Sequence, residues 1–240
     1  METIIHRASS RGHANHGWLD ARHTFSFASY MNRERMHFGA LRVLNDDTVQ
    51  GGMGFGMHPH DNMEIVTIPL KGALEHKDTT GRSGVIRAGD VQIMSAGKGL
   101  YHSEFNHYKD QAGNLLQIWV FPKERDIDPR YDQKTFDKTA RINTWQTVVA
   151  PDNKDALWIN QDAWFHLTDL EKGKAISYTK QKPDSVLYLF VIEGSVKLAD
   201  EILERRDGAG ITGGDGITLT AELDAELLLM EIPGILDHRP

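Results

Sequence analysis

Lys71-Gly72-Ala73, Ala88-Gly89-Asp90-Val91-Gln92-Ile93-Met94-Ser95-Ala96 and Leu115-Leu116-Gln117-Ile118-Trp119-Val120-Phe121-Pro122 have counterparts, in the same order, later in the chain. These are Glu193-Gly194-Ser195, Gly213-Gly214-Asp215-Gly216-Ile217-Thr218-Leu219-Thr220-Ala221 and Leu227-Leu228-Leu229-Met230-Glu231-Ile232-Pro233. Each set follows an apolar run, Ile65 to Pro69 in one case and Leu187 to Ile192 in the other. A strand, a Gly turn, a return strand, a Gly-Asp turn and closing strands, used twice, is the pattern of one β-unit present in two copies.

Outward from these segments, helical periodicity is scarce. Short apolar or alternating runs bounded by Gly, Asp, Asn and Pro recur from Leu41 onward, among them Gly72 to Lys77, Ala175 to Tyr178 and Gly216 to Thr220. This predicts an all-β chain of sandwich or barrel type. Between the copies, Pro122 to Gln146 is polar and charged, with a second proline at Pro129, and reads as a linker. The expected units are 1–135 and 136–240.

Composition narrows the chemistry. Of 240 residues, 27 are Lys or Arg and 34 are Asp or Glu, a net charge of -7 with no basic block to grip a phosphate backbone, so direct nucleic-acid binding is not expected. No run has the length and apolarity of a membrane span. The start, Met1-Glu2-Thr3-Ile4-Ile5-His6, lacks a charged segment followed by an apolar one, so a cytoplasmic location is expected. A chain of this length can bury a sufficient core by itself, and a monomer is expected. With no cysteine, thiolate metal sites and iron–sulfur clusters are excluded, leaving 12 histidines and the carboxylates for metal chemistry.

His58-Pro59-His60 follows the glycine-rich Gly51 to Gly56, and in an extended strand residues two apart share a face, so both imidazoles project together. His102-Ser103-Glu104 repeats that geometry with an imidazole and a carboxylate. Side by side in a small barrel, the two segments would converge four ligands on one ion: His58, His60, His102 and Glu104. No such pairs occur in the second copy, which between Thr147 and Pro233 holds only His166 among histidines and is expected to bind no metal.

These residues resemble the cupin superfamily. Gly52, His58, His60, Glu64 and Gly72 follow its first motif with one extra residue before the last Gly. Gly89, Gly97, His102 and Asn106 follow its second, with Ser95 in place of proline and two extra residues before the histidine. The variant resembles the pirin branch of bicupins, a likeness that extends to Arg11 to Asp20, His23 to Phe27, Met94 to Gly99 and Pro129 to Tyr131. The resemblance implies two tandem cupin barrels packed face to face. It also implies metal ligands at His58, His60, His102 and Glu104, with Glu64 outside the ligand set.

Three imidazoles and a carboxylate suit one divalent ion, with Fe(II) the first choice and Mn, Ni, Cu, Zn or Co as alternatives. The pirin resemblance further implies quercetin 2,3-dioxygenase activity, in which a flavonol is opened by O2 with release of carbon monoxide. In that reaction Glu104 is the expected general base. The resemblance equally covers iron-binding regulatory proteins that act through protein partners. Phe25, Phe27, Met53, Phe55, Met94 and Phe105 are candidate apolar walls for a planar polyphenol. His13, His16 and His23 lie in a segment that could cross the barrel mouth, and His76 is a candidate neighbour of the ligands.

Overall fold

The computed structural model describes residues 1–234. The first half runs through β1 (Glu2–His6), β2 (Gly12–Asn15), β3 (Leu19–His23), β4 (Leu41–Val49), β5 (Gly54–His60) and β6 (Glu64–Lys71). It continues through β7 (Ala73–Asp78), β8 (Ser83–Arg87), β9 (Asp90–Ser95), β10 (Leu100–Asn106), β11 (Gly113–Val120) and β12 (Arg130–Thr135). The second half carries β13 (Gln146–Val149), β14 (Trp164–Leu170), β15 (Ala175–Thr179), β16 (Ser185–Glu193) and β17 (Ser195–Leu198). It closes with β18 (Glu201–Glu204), β19 (Gly208–Thr212), β20 (Gly216–Ala221) and β21 (Ala225–Pro233).

These strands form two barrels, each from one broad and one narrow antiparallel sheet. In the first, β12-β9-β6-β11-β4-β3-β2 faces β5-β10-β7-β8, and in the second, β1-β19-β16-β21-β14-β13 faces β15-β20-β17-β18. The two halves repeat one topology, as the sequence pattern predicts. Gly72 and Gly194, which join β6 to β7 and β16 to β17, both take positive φ, 83° and 79°, which glycine adopts without steric cost. An added Cβ at Gly194 would meet Asp224 O at 2.0 Å, so that turn also has no room for a side chain.

The internal register differs from the sequence reading in one respect. β9, which holds Val91 to Ser95, pairs with β6, and its topological counterpart beside β16 is β19, not the Gly216 to Thr220 strand. Gly216 to Ala221 pairs with β15 and β17 and therefore corresponds to β10. The similar turn chemistry of two successive loops, each carrying Gly and a polar residue, produced the one-strand offset.

Two further departures concern the unit boundaries. Arg130 to Thr135, read as linker, is an edge strand paired with β9. The N-terminal strand β1, expected in the first unit, pairs with β19 and occupies the edge of the second barrel that β12 occupies in the first. Local sequence carries no signal for such a partner, because the two segments are about two hundred residues apart.

The broad sheets face each other across a shared apolar core. Leu44, Val66, Leu116 and Ile118 of the first half and Phe165, Tyr188, Phe190 and Met230 of the second belong to one buried cluster. Each barrel also has its own interior cluster: Leu19, Val49, Leu74 and Ile86 in the first, and Leu189, Val196, Leu203 and Leu219 in the second. Phe25, expected as a pocket wall, lies in the inter-barrel core with its ring edge-on to Tyr188. Met94, also expected as a wall, is fully buried with Ile65 and Leu100.

Glu64 joins the halves. Its Oε2 accepts hydrogen bonds from Ser95 Oγ at 2.8 Å and from the Asn160 amide at 3.1 Å, and burial pushes its carboxyl up to about 7. The ordinary value is 4.5, so the folded state binds the proton more tightly than the unfolded chain. This contribution to stability is full below the ordinary value and is lost as pH rises to 7 and beyond. Glu64→Gln should therefore gain stability over the native protein at pH 8 relative to pH 4.5, as read by urea denaturation at both pH values. Phe165→Ala, at a fully buried position shared by both halves, should cost about 3–5 kcal/mol and lower the urea midpoint of both barrels in a single transition.

Candidate metal centre

β10 lies between β5 and β7, and its register places His102 opposite His58 on one side and Asp78 on the other. Between His102 and Glu104 the pairing with β5 slips by one residue, a bulge that sets Glu104 opposite Phe55. Gly54 makes the close approach there, since a Cβ on it would meet Glu104 O at 2.2 Å. Alternation then turns His102 and Glu104 inward, 1% and 3% exposed, while Tyr101 and Phe105 face out. Phe105 and Met53, expected as walls, are thus exposed on the outer side.

His58, His60 and His102 converge. Their ring centroids lie 4.9, 4.4 and 4.8 Å apart pairwise, and their ligand atoms fall within 4.8 Å of one another. Glu104 belongs to a second group of the same size with His102 and His76. His102 is common to both, so the two overlapping triads hold five residues: the four expected as ligands from the sequence and His76.

Proton bookkeeping fixes which imidazole nitrogens face the centre. Burial alone would raise Asp78, but hydrogen bonds from Thr80, His76 and the Arg82 and Thr80 amides outweigh it and hold the carboxyl below its usual range. As a carboxylate it can only accept, so His76 Nε2, 3.1 Å from its Oδ2, carries the proton. Burial lowers His76, which leaves its ring neutral and its Nδ1 with a free lone pair. His102 Nδ1, 3.4 Å away, then donates to His76 Nδ1. The lone pair of His102 is left on Nε2, and that atom has no hydrogen-bond partner. His58 Nδ1 donates in the same manner to Gly56 O at 2.8 Å and leaves its own Nε2 free.

The electrostatics fit a cation. Burial, followed by the neighbouring imidazoles, pushes His102 down to about 2, and burial with His58 pushes His60 to about 4, so both are neutral at physiological pH, the form that a metal requires of an imidazole. Glu104 is pushed up to about 7 by burial, against the hydrogen bond that its Oε2 accepts from Gln117 Nε2 at 2.9 Å. Its Oε1 has no partner. Orphaned acceptors on His102 and Glu104, both buried, are unfavourable without a cation and well matched to one. A divalent ion held by this set would find nitrogen and oxygen donors and no thiolate.

Several residues around the centre lay outside the sequence reading. Gln117 is itself held by Thr67 Oγ1, which donates to Gln117 Oε1 at 2.7 Å, and so orients Glu104 from the opposite sheet. Trp119 stands edge-on to His60 at 4.9 Å and to Phe27 at 5.3 Å, and Tyr131 stacks on His76 at 4.5 Å. Trp18 packs edge-on against Phe55, which in turn neighbours His58. The alternation of β11 was the available signal for Gln117 and Trp119. His13 and His16 are exposed, and His23 is buried against Asn45 Oδ1 at 3.0 Å; none joins the centre.

Two barrels, one bearing a histidine-rich centre, define the protein as a metal-binding bicupin. Residues 5–120 match the Pirin family model, and residues 147–232 match that of the quercetinase C-terminal cupin domain. The chain is 40% identical to a quercetin 2,3-dioxygenase of Escherichia coli over 236 residues, covering 96% of this chain and 99% of that protein. It is 42% identical to a pirin-like protein of Caulobacter vibrioides over 222 residues, covering 92% of this chain and 95% of that one. The crystal structure of the bacterial pirin YhhW from Escherichia coli in complex with nickel(II) superposes with a TM-score of 0.92 at 39% identity, covering 98% and 100% of the two chains. The chain belongs to the pirin family. Among the described residues no helix is long and apolar enough to cross a membrane.

Asp78→Asn tests the hydrogen-bond chain. The amide keeps the turn through Oδ1 but offers N–H to His76 Nε2, which reverses the proton order and places a hydrogen on His102 Nε2. Metal affinity should fall by about 10–100-fold in competition with a chromogenic chelator, with secondary structure unchanged.

Proposed function

We propose that the protein is a metal-dependent dioxygenase that opens flavonols such as quercetin with O2 and releases carbon monoxide. The observation that carries this reading is the convergence of three imidazoles, with His102 Nε2 and Glu104 Oε1 unpartnered among them. The quercetin 2,3-dioxygenase relatives support the reaction class. We further propose that His58, His60, His102 and Glu104 hold one divalent ion, Fe(II) by preference on the sequence reading. Nickel in the related structure supports a divalent ion in general. The ion, when bound, supplies Lewis acidity toward the flavonol hydroxyl and a redox-active centre for reaction with O2.

The chain's own residues do the rest. Glu104, oriented by Gln117, takes the proton of the flavonol 3-hydroxyl on Oε1, the oxygen that no protein group occupies. Trp119, next to His60 and Phe27, and Phe55, next to His58, are the apolar rings against which a planar polyphenol would lie. Asp78 and His76 hold the His102 ring and keep its Nε2 free of hydrogen. The second barrel covers the outer face of the first through the shared core. The metal-binding unit is proposed as residues 1–135 apart from the β1 exchange, and the degenerate unit as 136–240. A monomer acting in the cytoplasm on a small phenolic and O2, without nucleic acid or membrane, completes the reading.

The decisive measurement is O2 uptake and carbon monoxide release with quercetin, on protein loaded separately with Fe(II), Mn, Co, Ni, Cu and Zn. Turnover with at least one ion, absent from the metal-free protein, is the expected result. No uptake and no carbon monoxide with any ion would overturn the enzymatic reading in favour of an iron-binding regulatory protein. Glu104→Gln should lower turnover by about 10²–10⁴-fold while metal content, measured by elemental analysis, falls far less. Equal losses of both would reduce Glu104 to a ligand.

A further inference from the structure

A cleft of about 660 Å³ opens between the two barrels, and no residue of the imidazole triad lines it. Arg11 from the first half and Arg206 from the second line it, with side chains only 3% and 6% exposed. A single half-buried carboxylate serves both guanidinium groups. Asp46 Oδ2 lies 3.4 Å from Arg11 Nη2 and 3.2 Å from Arg206 Nε, and Asp46 Oδ1 is already taken by Asn114 Nδ2 at 2.8 Å. Glu193 offers little more, because it is half-exposed, 3.6 Å from Arg206 Nη2, and bonded to Arg205 Nε at 2.7 Å.

Two buried guanidinium groups therefore share one carboxylate between them, with a second, half-exposed one near Arg206 alone. Nε and Nη1 of Arg11 and Nη1 of Arg206 are buried and make no hydrogen bond. Asp47, next in sequence to Asp46, does not offset them, since burial pushes its carboxyl up to about 8 and leaves it protonated at neutral pH. Burial also lowers both arginines below their ordinary value, the signature of under-compensated charge. Arg206 is held at φ 66°, a conformation that a non-glycine side chain rarely adopts, as its amide closes on Val191 O. At the rim, Lys71 and the paired Arg22 and Asp20 keep the entrance polar and mixed in sign.

We propose that this cleft is a second binding site, separate from the metal centre, for a small molecule bearing an oxyanion, either a carboxylate or a phosphate. Guanidinium groups match both in geometry and bind them by charge-assisted hydrogen bonds. The volume is that of a metabolite site, not of a lone ion. Its position at the junction of the barrels lets an occupant bridge the two halves, since Arg11 and Arg206 come from different ones.

Isothermal titration of the metal-loaded protein with inorganic phosphate, and separately with succinate, at constant ionic strength in chloride, tests this. Saturable binding of one equivalent of either is expected; phosphate alone identifies a phosphoryl ligand and succinate alone a carboxylate. Arg206→Gln should weaken it by about tenfold or more. Because loss of a buried arginine can also unsettle the fold, Ala112→Glu is the second variant: it adds a carboxylate to a half-buried lining position and should abolish binding while the thermal midpoint is retained. His58→Ala, which damages the metal centre, should bind the anion as the native protein does. Heats that never saturate, or binding equal in the native protein and Ala112→Glu, would overturn the proposal.

Discussion

Everything at the centre depends on one strand being hydrogen-bonded on both edges. β10 takes its register from β5 and from β7 at once, so His102 faces His58 across one seam and Asp78 across the other. The first seam assembles the imidazole triad, and the second supplies the carboxylate whose charge propagates through His76 to the lone pair of His102. A slip of one residue in either seam would turn His102 to the outer face. The bulge after His102 absorbs the slip in the β5 seam, and it falls just before Glu104, where the carboxylate must be aimed separately from the imidazoles.

What could be read in the sequence divides along the same line. Spacing of two within a strand is a local property, and it was enough to put His58 with His60 and His102 with Glu104 on shared faces. Two copies of a β-unit were also legible, because Gly72 and Gly194 mark equivalent tight turns by chemistry alone. The register of the copies was not, since Gly89-Asp90 and Gly214-Asp215 are similar turn signals before strands that do not correspond. Partners that reach the centre across a sheet were equally hidden. Gln117 and Trp119 come from β11, Asp78 from the end of β7 and Tyr131 from a segment that reads as linker, and each acquires its role only through pairing. The exchange of β1 into the second barrel is the extreme case, a contact made between opposite ends of the chain.

The second barrel shows why the same architecture gives such different interiors. On β20, the counterpart of β10, the inward positions carry Ile217, Leu219 and Ala221, all buried in the apolar cluster of that barrel. Four of its polar side chains form a continuous hydrogen-bonded chain. Tyr178 Oη donates to Glu231 Oε2 at 2.6 Å, so it must accept from His166 Nε2 at 3.0 Å, and His166 Nδ1 in turn accepts from Thr147 Oγ1 at 3.0 Å. Glu231 receives further hydrogen bonds from Ser185 Oγ and from the Gln181 and Lys182 amides, and burial pushes His166 down to about 4. None of these four side chains leaves a buried polar atom without a partner. In the first barrel the equivalent chain starts from Asp78, runs through two imidazoles and ends on His102 Nε2 with nothing opposite. Both interiors are similarly desolvated, so the difference lies in where the chain stops: a saturated network stiffens its barrel, whereas one ending on an unpaired lone pair stores an unmet demand for positive charge.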